Sequence, residues 1–385
     1  MANLRKSSDV AVVGGGVAGC ATAYELARAG VAVTLIEGDR IGAYASGNAA
    51  GGLNPLEGRG IPDPLGPLAM ASFCLHRELS DQLQEESNVD FQPQRVSRLQ
   101  VIFDESQRPE LDVVHKTFKA ADGFTADWVS ASTLRQMEPR VAPQAIGALR
   151  VGGNFAVNSC LYTRALSKAA QGYGARICIG RVRSLKGERS TATSVVLENG
   201  EIACAAVVIA TGPWSGVAEP WLRVTIPVEP SKGEMLRMGL DPPLSYELSS
   251  ASVNLFKRLD GLTWIGATEQ RRGFDLEPSQ WGRRTLLHEA AELLPEIGNA
   301  RIVKHTACLR PVSADGLPII GLMHPWENVY VLSGAGKKGI LLAPAMGKAM
   351  AEMITIGRTA LPVAAFGMER FGGQGKISNE AGRMP

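Results

Sequence analysis

The sequence predicts a discontinuous α/β domain, assembled from separated segments, with an inserted α+β domain built on an antiparallel sheet. Three observations carry that prediction. The chain opens with strand, glycine turn, helix and strand, the order of a parallel βαβ unit whose crossover is right-handed. From Val224 the pattern changes to short strands with no helices between them. Near the C-terminus the first pattern returns, as a buried strand, a Gly-rich turn and a helix.

The elements follow in order. Residues 10–13 form a β-branched-rich run, expected of a strand buried on both faces, and residues 14–16 break it. Residues 18–29 are rich in helix formers, and Gly30 stops them at the C′ position. Residues 31–36 make a second buried strand, ending at Glu37. Residues 42–67 are rich in Gly, Pro and Asn and read as a functional loop. Helical spacing returns at 68–88, with a strand at 99–103 and a helix at 110–121. A helix at 162–171, a strand at 175–179 and a hairpin over 194–210 follow. Strands are expected at 224–228, 234–238, 252–257 and 263–268, a helix at 284–294, a strand at 329–332 and a helix at 341–356. Segments 1–88, 151–223 and 306–370 are assigned to the first domain, 89–150 and 224–305 to the insert, and 371–385 to a frayed tail.

Composition narrows the function classes. Among 385 residues, Lys+Arg number 40 and Asp+Glu 38, so the net charge of +2 offers no electrostatic basis for a nucleic-acid or membrane-surface partner. The six cysteines show no C-x-x-C, and the five histidines are scattered without metal-ligand spacing, so no metal site is expected. Arg5 and Lys6 precede an apolar run ending at Cys20 that resembles a lipoprotein signal, but Asp9 and three consecutive glycines interrupt it. No uninterrupted apolar stretch approaches the ~18 residues of a membrane span, and the expectation is a cytoplasmic protein, with oligomerisation left open. One number stands out: 43 glycines, about 11%, against a typical ~7%.

Gly14-Gly15-Gly16-Val17-Ala18-Gly19 fits G-x-G-x-x-G between a strand and a helix. Gly14 permits the turn, Gly16 lets a pyrophosphate approach the backbone, and Gly19 lets helix pack on strand. The helix N-terminus presents unpaired N–H groups and a positive dipole end to phosphate. Glu37, followed by Gly38, ends the second strand where an acid can accept from ribose hydroxyls. These features together indicate a bound dinucleotide.

Two later stretches carry a family resemblance. Val207-Val208-Ile209-Ala210-Thr211-Gly212 resembles the strand and turn that many FAD enzymes carry mid-chain. Leu309-Arg310-Pro311, then Asp315-Gly316, Pro318 and Gly321, then residues 334–344 (Gly-Ala-Gly-Lys-Lys-Gly-Ile-Leu-Leu-Ala-Pro) resemble the C-terminal flavin-binding stretch of the D-amino-acid oxidase superfamily. Within it the chain is most similar to the glycine oxidase and sarcosine oxidase branch. The resemblance implies a Rossmann-like FAD-binding domain with FAD as cofactor. It places Ser46, Asn48, Ala49, Ala50 and Gly51 in the pyrophosphate and ribityl loop, although Ser46 and Asn48 also suit simple turn chemistry. It sets the Val182 backbone against adenine and Thr211, Gly212, Arg310, Gly336, Lys337, Lys338, Gly339 and Ile340 around the flavin.

For the substrate, the resemblance implies that Arg310 fixes a carboxylate, which a planar guanidinium does bidentately; a structural ion pair is the plainer reading. Lys337 stands where glycine oxidases have a second Arg. Ser252 and Asn254 occupy positions of a His and a Tyr, Glu269 that of an apolar Met, and Gly52 that of another apolar pocket residue. Glu269 would favour a cationic or hydrogen-bonding substrate part, or else pair on the rim with Arg271 or Arg272. Cys308 matches a cysteine that the sarcosine oxidase branch links to flavin, but the residues after it differ from that branch, and the expected cofactor is noncovalent. The implied activity is oxidation of the C–N bond of a small amino acid or N-substituted glycine, with O2 as acceptor. Alternatives are a D-amino-acid dehydrogenase passing electrons to a quinone, a 2-hydroxy-acid dehydrogenase, a tRNA carboxymethylaminomethyl-uridine oxidase, and a flavin-binding protein without turnover.

Overall fold

The computed structural model describes residues 5–372. The chain begins β1 (Arg5–Val13), α1 (Val17–Arg28), β2 (Val33–Glu37), α2 (Ala45–Asn48), β3 (Gly52–Leu53), α3 (Gly66–Ser87), β4 (Gln94–Ile102), α4 (Arg108–Ala120), β5 (Thr125–Ser130), α5 (Ala131–Met137) and β6 (Gly147–Ala156). It continues α6 (Ser159–Gly172), β7 (Arg176–Ile179), β8 (Val182–Glu188), β9 (Thr191–Leu197), β10 (Gly200–Ile209), α7 (Glu219–Leu222), β11 (Val228–Gly239), β12 (Glu247–Ser249), β13 (Asn254–Lys257) and β14 (Thr263–Gly266). It ends with α8 (Gln280–Leu293), β15 (Arg301–Ser313), β16 (Ile319–Leu322), β17 (Val329–Ser333) and α9 (Gly339–Ile356). Residues 373–385 of the expected tail lie outside the described residues.

The first sheet has the order β16-β17-β10-β1-β2-β7, with the β8–β9 hairpin added to β10. The path from β17 through β10, β1 and β2 to β7 is parallel. Alternation along β1 divides its side chains between two cores. Val10 and Val12 pack under α1, α6 and α9, while Ala11 and Val13 face the core below the β8–β9 hairpin. Because both faces are covered, the run reads as continuously apolar. Gly336–Ile356 is the one stretch among the described residues long and apolar enough to cross a membrane, and 61% of its apolar window is buried inside the protein. It contains the core helix α9.

The second sheet, β15-β11-β14-β13-β12-β4-β6-β3 with β5 on β6, is antiparallel except where β12 meets β4. Leu236, Leu255 and Ile265 point to a core closed by α8. Their neighbours Met235, Asn254 and Gly266 point to the opposite face and line a cavity between the sheets.

Two expected boundaries fall inside strands. β6 runs across 150/151 and β15 across 305/306, because antiparallel pairing with β4 and with β11 continues through both positions. The strands expected at 224–228 and 234–238 also need correcting. Val224 and Ile226 belong to a loop packed into a core, and residues 228–239 form one strand. Lys232 and Glu234 hid its continuity, since charged residues are seldom wholly buried, yet both are.

Candidate active site

The cavity has a volume of about 940 Å³, at the upper end of the ~300–1,000 Å³ range of small-molecule sites. Its lining joins stretches that are remote in sequence. Gly14, Gly16, Val17, Ala18, Glu37, Gly38, Ser46, Asn48, Ala49, Ala50 and Val182 lie along it, as do Thr211, Gly212, Asn254, Cys308, Arg310, Gly336, Lys337, Gly339 and Ile340.

The glycine turn between β1 and α1 is built by close approach. Gly14 has φ +114°, and a Cβ there would meet the Ala210 carbonyl oxygen at 2.3 Å. A Cβ on Gly19 would meet the Gly14 carbonyl oxygen at 1.9 Å. Gly19 therefore acts behind the lining, by seating α1 on the turn. Val17 N–H donates to Ser46 Oγ at 2.9 Å, which ties the helix N-terminus to the following loop. Glu37 accepts from Gly15 N–H at 2.7 Å and from Asp39 N–H at 2.8 Å. Asn48 Nδ2 donates to the Tyr44 carbonyl at 2.9 Å, the turn chemistry its residue type suggests.

At the other end, β15 brings in Arg310. Its Nη1 donates to the Thr268 carbonyl at 3.1 Å, and among the described residues no carboxylate lies within ion-pairing distance of it. Gly233 on the adjacent β11 is what admits the guanidinium, because a Cβ there would sit 2.1 Å from Arg310 Nη2. Lys337 pairs with Glu269 at 2.7 Å, and both side chains are more than half exposed. Glu269 therefore meets Lys337 rather than Arg271 or Arg272. Burial alone would raise the Glu269 pKa, but Lys337 and Arg310 outweigh it and hold it below the ordinary carboxylate value. Burial pushes the Cys308 thiol up, with Arg310 offsetting part of the effect.

Besides Gly19, four expected residues stand apart from the lining. Lys338 turns away: its Nζ donates to the Asn54 carbonyl at 2.8 Å and to that of Glu57, and burial lowers its pKa to about 8. Its charge serves the 54–57 loop, because backbone carbonyls of an irregular segment shielded from solvent need donors from within the protein. Gly51 packs against the Val157 carbonyl, Gly52 is exposed on β3, and Glu269 sits on the rim. Conversely, an aromatic and apolar wall escaped sequence reading: Tyr44, Trp214, Trp221, Met235, Phe256, Phe274 and Leu276. Only Trp214 carried a signal, as a neighbour of the Thr211-Gly212 turn. His76 is a satisfied core histidine, with Nε2 2.9 Å from the Ile340 carbonyl and burial lowering its pKa to about 4.

Comparison with known proteins bears on what this cavity holds. The family model described as DAO, FAD dependent oxidoreductase, matches residues 9–353. The chain belongs to this family. The glycine oxidase of Geobacillus kaustophilus is 32% identical over 367 residues, covering 94% of this chain and 97% of the relative. That of Bacillus licheniformis is 31% identical, covering 91% and 94%. A crystal structure of the Geobacillus kaustophilus glycine oxidase superposes with a TM-score of 0.89 at 29% identity, covering 95% of this chain and 99% of that one.

The cofactor of this FAD-dependent oxidoreductase is FAD, and the cavity fits it. A Cβ on Gly16 would meet only Ser46 Oγ, at 3.4 Å, and Gly212 and Gly336 face open space. The N-termini of α1, of the short 3-10 turn Gly212–Ala218 and of the Gly336–Lys338 turn leading into α9 all reach the cavity. Such termini favour negative charge. Acid precipitation should leave a yellow supernatant, because a protonated, buried Cys308 is a poor nucleophile; a yellow pellet would show a covalent link.

Proposed function

We propose that the protein oxidises the C–N bond of a small amino acid or an N-substituted glycine and passes the electrons to O2. Arg310 carries this reading: a guanidinium inside the cavity, with no carboxylate at ion-pairing distance among the described residues, held from one side by the Thr268 carbonyl. A substrate carboxylate supplies the missing counterion, and bidentate contact fixes the direction of the neighbouring carbon. The glycine oxidase relatives support the same reaction class.

FAD, when bound, supplies the chemistry: it takes the hydride equivalent from the substrate carbon and delivers the electrons to an acceptor. The chain's own residues do the rest. Arg310 holds the carboxylate. Asn254, on the cavity face of β13, offers its amide to the substrate nitrogen. Met235, Phe256 and Leu276 keep water from the reacting carbon. Loss of hydride from the α-carbon of the neutral amine leaves an iminium ion, the protonated imine, and water hydrolyses it to an oxo acid and the protonated amine.

Asn254 and rim Glu269 favour a substrate that is larger or more polar at nitrogen than glycine. In an anaerobic panel of glycine, N-alkyl glycines, other amino acids and 2-hydroxy acids, N-alkyl glycines should bleach the flavin absorbance fastest. Glycine with the highest specificity constant would sink the N-substituted preference. Bleaching by hydroxy acids alone, or by nothing, would sink C–N oxidation. Stoichiometric peroxide on readmission of air tests the acceptor.

A further inference from the structure

Lys232 and Glu234 interrupt the middle of β11, and their side chains are 1% and 0% exposed. A buried ion pair is a poor device for stability, since apolar side chains of similar volume do as well or better. What these two hold is the segment between β14 and α8. Lys232 exchanges backbone hydrogen bonds with Gln270, at 2.8 and 2.9 Å. Its Nζ donates to Asp275 Oδ2 at 2.7 Å and to the Glu277 carbonyl, and lies 3.5 Å from Glu234. Glu234 N–H donates to Thr268 Oγ1 at 2.9 Å. The Glu234 carboxylate accepts from Ser279 Oγ at 2.7 Å and from Ser279 N–H at 2.8 Å, with His305 Nε2 2.8 Å away.

The segment is thus fastened at 268–270 and again at 275–279. Between the two fastenings stands Phe274. It lines the cavity while remaining 50% exposed, which places it at the rim. Its ring stacks on Trp214, with centroids 6.0 Å apart and planes at 25°, and Trp214 meets Tyr44 at 4.6 Å. Phe274 follows β14 of the second sheet in the chain, and Trp214 belongs to the turn that follows β10 of the first. Phe274 itself lies in no strand and in no core cluster, and the side-chain ties nearest to it are those of the Lys232 ammonium to Asp275 and Glu277.

We propose that Lys232 is a positioning residue that sets substrate size: its buried ammonium keeps Phe274 closed on Trp214 at the rim of the cavity. This rests on the reading that an amine substrate enters this cavity. The fastening also reaches Arg310, whose guanidinium donates to the carbonyl of Thr268.

The test compares FAD-loaded parent, Lys232→Met, Phe274→Ala and the double variant. Lys232→Met should speed hydrogen exchange in residues 270–279 by about tenfold while the rest of the second sheet exchanges as in the parent. Across N-alkyl glycines of increasing size, KM for the smallest should rise about tenfold with kcat within about twofold, and the bulkiest should gain relative to the smallest. Phe274→Ala should shift size selectivity in the same direction, and the double variant should show no more than either single change. If Lys232→Met fails to fold, Asp275→Ala removes the same tie from a partly exposed position. A folded, FAD-loaded variant with parental exchange at 270–279 and parental selectivity overturns the proposal. If no amine reduces the parent, C–N oxidation falls, and exchange alone decides the role of Lys232: faster exchange sustains it and parental exchange rejects it.

Discussion

Arg310→Ala should lower kcat/KM for the preferred amine by about 10²–10³-fold while the protein keeps its FAD. Removing one partner of a buried, hydrogen-bonded charge pair costs about 3–4 kcal/mol, at roughly 1.4 kcal/mol per decade. Arg310→Lys should recover only part of the loss, since an ammonium keeps the charge but not the planar fork. Lys337→Met should cost about threefold or less, because its pair with Glu269 is largely exposed. Steady-state kinetics with flavin absorbance as a loading control separates these outcomes. An Arg310→Ala enzyme within threefold of the parent would remove the carboxylate anchor from the proposed function.

Glu247→Ala should destabilise the fold by about 3–5 kcal/mol, the cost of leaving buried charge unpaired. Glu247 is 2% exposed and accepts from Arg98 Nη2 at 2.8 Å and Arg258 Nη1 at 2.7 Å. Arg258 Nε also donates to the Ala50 carbonyl at 2.7 Å, so the cluster braces the loop that lines the cavity at residues 48–50. Arg258 Nη2 is already buried without a hydrogen-bond partner, which leaves the cluster no spare acceptor. Burial alone would raise the Glu247 pKa, but Arg98 and Arg258 reverse the shift and hold it below the ordinary carboxylate value. A depressed folded-state pKa contributes stability that is present above the unfolded pKa and lost as pH falls through the folded one. The variant should therefore unfold at lower urea at neutral pH, and its gap to the parent should close in acid. A loss below about 1 kcal/mol would show that the two arginines find other partners.

Legibility in the sequence followed the range of the forces involved. The turn before α1 could be read because Gly14 and Gly19 are required by contacts with the next few residues and with the adjoining strand end. Apolar runs identified β1, β2, β10 and β17 because burial on both faces leaves little choice of side chain. Arg310 was found through a resemblance in the residues around it. Of the two long strands, β11 was found only in part and β15 was not read as a strand at all, since charged residues, and in β11 glycine, obscure their alternation. Lys338 was misplaced for a related reason: two adjacent lysines look alike in sequence, yet one faces the rim and the other is buried under the 54–57 loop.

The sequence alone pointed to a dinucleotide turn with glycines gathered around it and, through a family resemblance, to a flavin-binding C-terminal stretch and to the arginine proposed to hold a carboxylate. Each depends on a residue type answering a local demand. The tertiary structure decided which side chains line the cavity. Pairing of β11 with β15 sets Ser231 opposite Arg310 and Gly233 opposite Cys308, so a missing side chain on one strand makes room for a guanidinium on the next. The same strand supplies the buried lysine that fastens Phe274. Such placements arise from register between segments distant in sequence, where a one-residue slip would turn every side chain to the other face.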